Sequence, residues 1–380
     1  MADALYGPRG FYTGGAAPGA HFRTSVHASP LFAGAIGELL RRVDAALGHP
    51  APLDLVDVGA GRADLLTAVA AAAGPDLAAR LRLTAVERAP RPAGLPGGVR
   101  WTAEIPELTG LLIANEWLDN VPVDVVEQTT AGPRLVLVSP AGAESVGGPP
   151  GAADAAWLAD WWPLRPGQRA EVGRPRDQAW AAAAGQVRRG VAVAIDYAHD
   201  RRARPPAGTL TGYRAGRQVP PVPDGSCDLT AHVALDACAA TYRLAAMRAA
   251  PGRPGPDGPA TQLAAPGTDP TTPAADPTGP VRPAPSAAGP VAPGTEPTAP
   301  AADTLLTTQR AALRALGVSG HRPPIARASA DPAGYLAGLV AAGEAAELTD
   351  PGGLGGFGWL VRAVGVPLPL APGDRFPEDG

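Results

Sequence analysis

The chain has 380 residues, 45 % of them hydrophobic, and a formal charge of −4, which is enough chain for a large buried core. It holds two cysteines and no lysine, so Schiff-base and lysine general-base chemistry are excluded and no disulfide framework or zinc knuckle is expected. The charge balance does not suggest nucleic-acid binding. No apolar run of about 18 residues suggests a membrane span, and the opening MADALYGPRGFYTGG does not read as a signal peptide, so a cytoplasmic location is expected.

In chain order, Leu53–Val58 (LDLVDV) is a short apolar run between Pro52 and Gly59 and reads as a buried strand. Arg62–Ala73 suits a helix that ends at Gly74-Pro75. Leu81–Val86, Val99–Trp101 and Leu111–Ala114 read as the second, third and fourth strands. Val125–Thr129 and Arg134–Val138 suggest a strand pair around Ala131-Gly132-Pro133. Trp157–Trp162 (WLADWW) reads as a helix packed on the sheet, and Val191–Ile195 as a strand that ends in Asp196-Tyr197. Strand–helix alternation of this kind predicts an α/β fold: a doubly wound, mostly parallel sheet with helices on both faces. Residues 251–302 are rich in Pro, Ala, Gly and Thr and contain no aromatic residue. Such a segment buries too little apolar surface to offset its ordering entropy. It is predicted to be a disordered insertion in a single domain made of 1–250 and 303–380.

Three strand ends carry candidate chemistry. After the first strand, Asp57 leads into Gly59-Ala60-Gly61 and then a helix start, an arrangement that brings backbone N–H groups close to a ligand. Asp64 stands where a full dinucleotide fingerprint would have its third glycine, and this favours a ligand without phosphates or a cationic one. Glu87 follows the second strand, where an acid can accept hydrogen bonds from ribose hydroxyls; the alternative is a solvated acid paired with Arg88. After the fourth strand come Asn115, Glu116 and Asp119, which are costly near a buried strand end unless they have partners. Asn115 capping the next turn would satisfy part of that need. His232 is read either as an acceptor-site base or as a residue that satisfies its own loop. No three ligands share a metal-like spacing.

These elements together resemble the MidA-type S-adenosylmethionine-dependent methyltransferases. The most specific match is Asn115-Glu116-Trp117-Leu118-Asp119-Asn120-Val121-Pro122-Val123. ALYGPRGFYTGG, AIDYAHD (194–200), GTLTGYR (208–214), DLTAHV (228–233) and TTQ (307–309) match further blocks in the same order. Departures lie at Gly19-Ala20-His21-Phe22, at Thr24-Ser25-Val26-His27 and at Gly59-Ala60-Gly61-Arg62-Ala63, which lose two acids and one glycine of the family pattern. His21 and His27 are candidates to replace those acids as polar contacts.

The resemblance implies a class I, Rossmann-like methyltransferase fold with family-specific additional helices, a cofactor-binding core at about 50–140, and S-adenosylmethionine as methyl donor. It implies cofactor contacts from Asp57, Gly59, Gly61, Glu87, Asn115 and Thr24, and acceptor chemistry from Glu116 and Asp119. The family's mitochondrial branch methylates an arginine on a subunit of a respiratory complex. A protein substrate, arginine as acceptor and a homodimer are therefore expectations of the resemblance. The alternative expectation is a catalytically weak or inactive assembly factor that keeps the fold.

Overall fold

The structure is a computed structural model and describes residues 1–13, 25–241 and 303–370. The predicted insertion at 251–302 lies outside the described residues, and so do His21 and Thr24.

A central sheet has strands β1 (Leu53–Val58), β2 (Leu81–Val86), β3 (Val99–Thr102), β4 (Leu108–Asn115), β5 (Val187–Asp196), β6 (Thr304–Thr308) and β7 (Gly358–Val364). Their spatial order is β3-β2-β1-β4-β5-β7-β6. β1 to β5 pair in parallel, and β7 runs antiparallel to both β5 and β6. Strands from before and after residues 251–302 thus share one sheet. The chain order reverses beside β1, where β2 lies on one side and β4 on the other. In an open parallel sheet this reversal leaves a crevice outside the carboxyl ends of the strands, and ligands bind there.

Alternation along the strands explains why both faces are covered. Leu55, Leu111, Ile113, Val191 and Val193 point into one apolar cluster; Val56, Leu112, Ala114, Ala192 and Ala194 point into the other. The first face is covered by the helix Pro30–Leu47. Ser29 caps its start by accepting from Leu31 N at 3.0 Å, Pro30 opens it, and Gly48 in the left-handed region ends it. Phe32, Ile36, Leu39, Leu40 and Val43 recur at helical spacing and are fully or almost fully buried. Each such side chain contributes about 1.5–3 kcal/mol relative to exposure. The second face is covered by the helix Arg174–Ala184, whose Trp180 is 1 % exposed.

The predicted strands are all present: Leu53–Val58, Leu81–Val86 and Val125–Thr129 keep their predicted limits, and the others run longer. β5 begins at Val187, four residues before the predicted Val191, because Arg188 and Arg189 interrupt the apolar pattern at its exposed start. The predicted helix Arg62–Ala73 spans Asp64–Ala72. Its N-cap Ala63 has φ 63°, so the chain is still turning where the helix was expected to begin. Val125–Thr129 pairs antiparallel with Gly132–Val138 as expected and extends into a four-stranded side sheet with Glu144–Val146 and Arg169–Glu171. The tryptophan-rich helix, Ala152–Trp161, packs elsewhere than predicted. Trp157 and Trp162 join Val126, Ala170 and Val172 over that side sheet, not over the central one. Trp157 Nε1 donates to Asp177 Oδ2 at 2.6 Å, which fixes the ring there. Among the described residues, no helix is long and apolar enough to cross a membrane.

Candidate functional site

The carboxyl ends of β1, β2, β4 and β5 bring the predicted residues that the structure describes to one rim. The loop after β1 turns through Gly59 (φ 74°) and Gly61 (φ 55°). A Cβ on Gly59 would lie 3.0 Å from Trp117 Cδ1, whereas one on Gly61 would meet nothing within 4 Å. Glycine therefore keeps Trp117 against the loop at the first position and an open face at the second. Glu87 reaches across from β2. Its Oε2 accepts from Gly61 N at 3.1 Å, and its Oε1 accepts from Arg88 N at 2.6 Å and Ala89 N at 3.0 Å. A carboxylate has about four lone-pair sites, so Glu87 keeps one for a ligand donor, on Oε2. The alternative ion pair with Arg88 is not formed, because the Arg88 guanidinium lies over the Tyr6 ring at 5.1 Å. Asp57, 4 % exposed at the end of β1, is pushed up to about 8 by burial and by the Glu87 charge.

β4 ends in Asn115, and Glu116 follows in the left-handed region with φ 51°. A non-glycine residue pays strain there, and such residues concentrate at functional sites. Asn115 does not cap the following turn. Its amide donates to Glu116 Oε1 at 3.2 Å, and its own buried Oδ1 has no hydrogen-bond partner. Glu116 Oε1 also accepts from Ser25 N at 3.3 Å. Burial, then the charge of Asp119, pushes Glu116 up to about 7, against those two donors. Asp119 accepts the Thr230 hydroxyl on Oδ2 at 2.6 Å, while its buried Oδ1 is unpartnered.

Sequence reasoning missed four residues of this rim. Asp196 ends β5, the strand beside β4, and is wholly buried. Its Oδ2 accepts from Leu118 N at 2.9 Å and Asp119 N at 3.2 Å, and its Oδ1 has no partner. Burial holds Asp196 well above the usual carboxylate range. Asp228 accepts from Asn120 Nδ2 at 3.1 Å and is pushed up to about 7 by burial, then by Asp119. Tyr12 donates its hydroxyl to Asn120 Oδ1 at 2.9 Å. Arg176, 1 % exposed, donates to the backbone oxygens of Asp119, Val121, Ala231 and His232. An acid at the carboxyl end of the next strand in the sheet was the available signal for Asp196. Nothing in the sequence pointed to Arg176.

The separate motifs meet around Asn115–Asn120. Tyr6 and Tyr12 bond Asn120, Ser25 bonds Glu116, Asp196 bonds the turn, and Thr230 bonds Asp119. Gln309 Nε2 donates to Ser25 Oγ at 3.1 Å, and Thr209 Oγ1 accepts from His232 N at 2.9 Å. His27 pairs with Asp64 at 3.2 Å, near the start of the helix after β1.

The rim is rich in acceptors and poor in donors. Asn115 Oδ1, Asp119 Oδ1 and Asp196 Oδ1 are buried oxygens without partners, in a crowd of carboxyl groups that burial keeps from ionising together. Such a rim suits a ligand that brings hydroxyl donors and positive charge. Among the described residues, no group of three or more His, Cys, Asp or Glu side chains is placed to hold a metal ion.

Residues 35–252 match a family model described as "Putative S-adenosyl-L-methionine-dependent methyltransferase". Two solved structures from Burkholderia thailandensis share the fold. One, a "likely methyl transferase" bound to S-adenosyl-homocysteine, aligns with a TM-score of 0.68 and 23 % identity over 97 % of this chain and 88 % of its own. The other, the native structure of an uncharacterized protein, aligns with a TM-score of 0.68 and 23 % identity over 99 % of this chain and 89 % of its own. No curated protein matches this chain.

Proposed function

Because this chain belongs to that family of S-adenosyl-L-methionine-dependent methyltransferases, we propose that it transfers a methyl group to the guanidinium of an arginine side chain on a protein. The donor supplies, when bound, an electrophilic methyl group on a sulfonium. Asp57, Gly59, Gly61, Glu87 and Asn115 are the residues that would hold it. Glu87 offers its remaining lone pair to a ribose hydroxyl, and Asn115 Oδ1 offers an acceptor that has no partner in the protein. Burial favours the neutral forms of Asp57 and Glu116 in the free protein, and a bound cation would favour their ionised forms. Thr24, also expected to contact the donor, adjoins Ser25, which bonds Glu116.

The observation that carries the acceptor assignment is the set of unpartnered acceptor oxygens around Glu116 and Asp119. A guanidinium brings planar N–H donors and a fixed positive charge, and hydrogen bonds to charged groups contribute about 1.5–3 kcal/mol each. Oε1 of Glu116 is engaged by Ser25 and Asn115, which leaves Oε2 to hold one guanidinium nitrogen and to take up its proton. Asp119 Oδ1 holds a second nitrogen. Fixing the acceptor in line with the methyl group is the main service such residues perform.

Labelled methyl transfer into a lysate, wild type against Glu116→Gln, tests the reading. Transfer is expected to fall at least about 100-fold in the variant, as for loss of a positioned proton acceptor; unchanged transfer would remove Glu116 from the chemistry. In calorimetry, S-adenosylmethionine is expected to bind the wild type and to bind Glu87→Ala at least about tenfold more weakly, the loss of about one charge-assisted hydrogen bond. Donor binding without any transfer would leave a binding protein on a methyltransferase fold.

A further inference from the structure

Tyr197 follows Asp196 at the end of β5 and is half-buried. The strand geometry sets it beside the acids, since Glu116 N donates to Ile195 O at 2.8 Å. Among charged groups, Glu116 acts most strongly on the Tyr197 hydroxyl, adding to the upward shift that burial causes. The Tyr197 ring packs against Phe357 with centroids 4.1 Å apart and lies nearly parallel to His232, 5.5 Å away at 16°. Phe357 is buried, whereas His232 is exposed. The stack therefore runs from the core outward and ends on an imidazole at the surface.

The backbone holds that imidazole in place. His232 N donates to Thr209 Oγ1 at 2.9 Å, His232 O accepts from Arg176 Nη1 at 2.8 Å, and Val233 N donates to Tyr197 O at 2.8 Å. Arg176 also donates to the backbone oxygen of Asp119 at 2.5 Å, so one guanidinium ties the histidine loop to the acid turn. Loss of solvation lowers the pKa of His232, with Glu171 opposing and Arg176 assisting, which favours the neutral ring. An aromatic plate stacked on Tyr197, the residue on which Glu116 acts, attracts a flat cation through its ring face.

We propose that the stacked pair Tyr197–His232 is the aromatic wall of the acceptor site, on which a guanidinium stacks through the outer face of His232, so that arginine is selected over lysine. The proposal rests on the guanidinium reading above and makes His232 a specificity-determining plate, not a base. A planar guanidinium gains both the stack and the paired hydrogen bonds to the acids. A tetrahedral ammonium gains neither in full.

The test uses the full chain saturated with S-adenosyl-homocysteine and two probes, Nα-acetyl-arginine amide and Nα-acetyl-lysine amide, with affinities from NMR titration. The wild type is expected to prefer the arginine probe. His232→Ala is expected to weaken the arginine probe by about fivefold to tenfold, the range of a partly desolvated cation–π contact, and to leave the lysine probe nearly unchanged. His232→Phe, which keeps the plate, is expected to restore the preference; His232→Leu, which fills the space without a π face and also serves if the alanine variant is unstable, is expected to fail. An unchanged arginine-to-lysine ratio in both His232→Ala and His232→Leu overturns the wall and leaves the guanidinium reading standing. Loss of the preference in His232→Phe overturns it too, by pointing to the imidazole nitrogens. If the wild type holds S-adenosyl-homocysteine but binds neither probe, the guanidinium reading itself fails and the wall with it.

Discussion

Asp196 Oδ2 accepts the backbone N–H of Leu118 at 2.9 Å, so the last residue of β5 holds the turn that follows β4. The same oxygen takes Asp119 N at 3.2 Å. A wholly buried carboxyl group thereby orients Asp119 and the chain just after Glu116.

This relationship separates two substitutions. Asp196→Asn keeps a carbonyl oxygen to accept both N–H groups, and an amide is close in shape to the neutral carboxyl that burial favours. Asp196→Ala removes the acceptor and strands two buried donors, each of which costs about 1–3 kcal/mol. Urea denaturation is expected to show Asp196→Ala less stable than Asp196→Asn by about 2–6 kcal/mol. Equal stability of the two variants would mean that the turn holds itself.

The left-handed backbone of Glu116 (φ 51°) predicts a conflict between stability and activity. Glycine adopts this conformation without the Cβ penalty of about 1–2 kcal/mol. Part of that gain is lost because glycine is freer in the unfolded chain. Glu116→Gly is therefore expected to be about 1 kcal/mol more stable than Glu116→Ala, with both lacking methyl transfer. If the alanine variant is the more stable of the two, the strain assigned to this residue is wrong.

Gly59 and Gly61 both have positive φ, yet they are expected to respond differently to alanine. At Gly59 the new methyl group meets Trp117 at 3.0 Å; at Gly61 it meets nothing within 4 Å. Gly59→Ala adds a clash to the strain and is expected to lower the melting temperature further. Gly61→Ala is expected to retain more stability but to weaken S-adenosyl-homocysteine at least about tenfold, the effect of pushing a ligand back from the backbone it contacts. Thermal unfolding and calorimetry on the two variants distinguish these roles.

Much of this frame was legible because buried strands are short apolar runs that glycine and proline bound: Pro52 and Gly59 mark β1, and the amide–acid cluster at Asn115–Glu116 marks the end of β4. Glu87 and Asn115 were legible for the same reason, as polar residues where an apolar run stops. The start of β5 was not, because its Arg188 and Arg189 are exposed and break the pattern. Trp157 and Trp162 were assigned the wrong surface, since an apolar helix does not encode which sheet it covers. Asp196, Asp228, Arg176 and the Tyr197–His232 stack depend on which strands become neighbours, and single-strand patterns carry no information about sheet order. Arg176 was the least legible: its role rests on four backbone oxygens, which no side-chain motif announces.

The raised carboxyls set the pH dependence. Asp57 moves from 3.8 to about 8, Glu116 from 4.5 to about 7 and Asp228 from 3.8 to about 7, burial being the main cause in each. The folded protein therefore binds more protons than the unfolded chain between about pH 4 and pH 8. The stability contributed by these groups is fully present below their unfolded values and is lost as pH rises through their folded values. The ligand-free melting temperature is expected to fall from pH 5 to pH 8 on this account, and Asp57→Asn is expected to flatten the fall. A bound sulfonium offsets carboxylate repulsion most where the acids are ionised. The stabilisation by S-adenosylmethionine is therefore expected to grow over the same interval, and more steeply than that by uncharged S-adenosyl-homocysteine sulfur. Melting curves at fixed ionic strength, with and without each ligand, check both slopes. A melting temperature that rises with pH in the ligand-free wild type, or that falls equally in Asp57→Asn, would show that these carboxyls do not govern the profile.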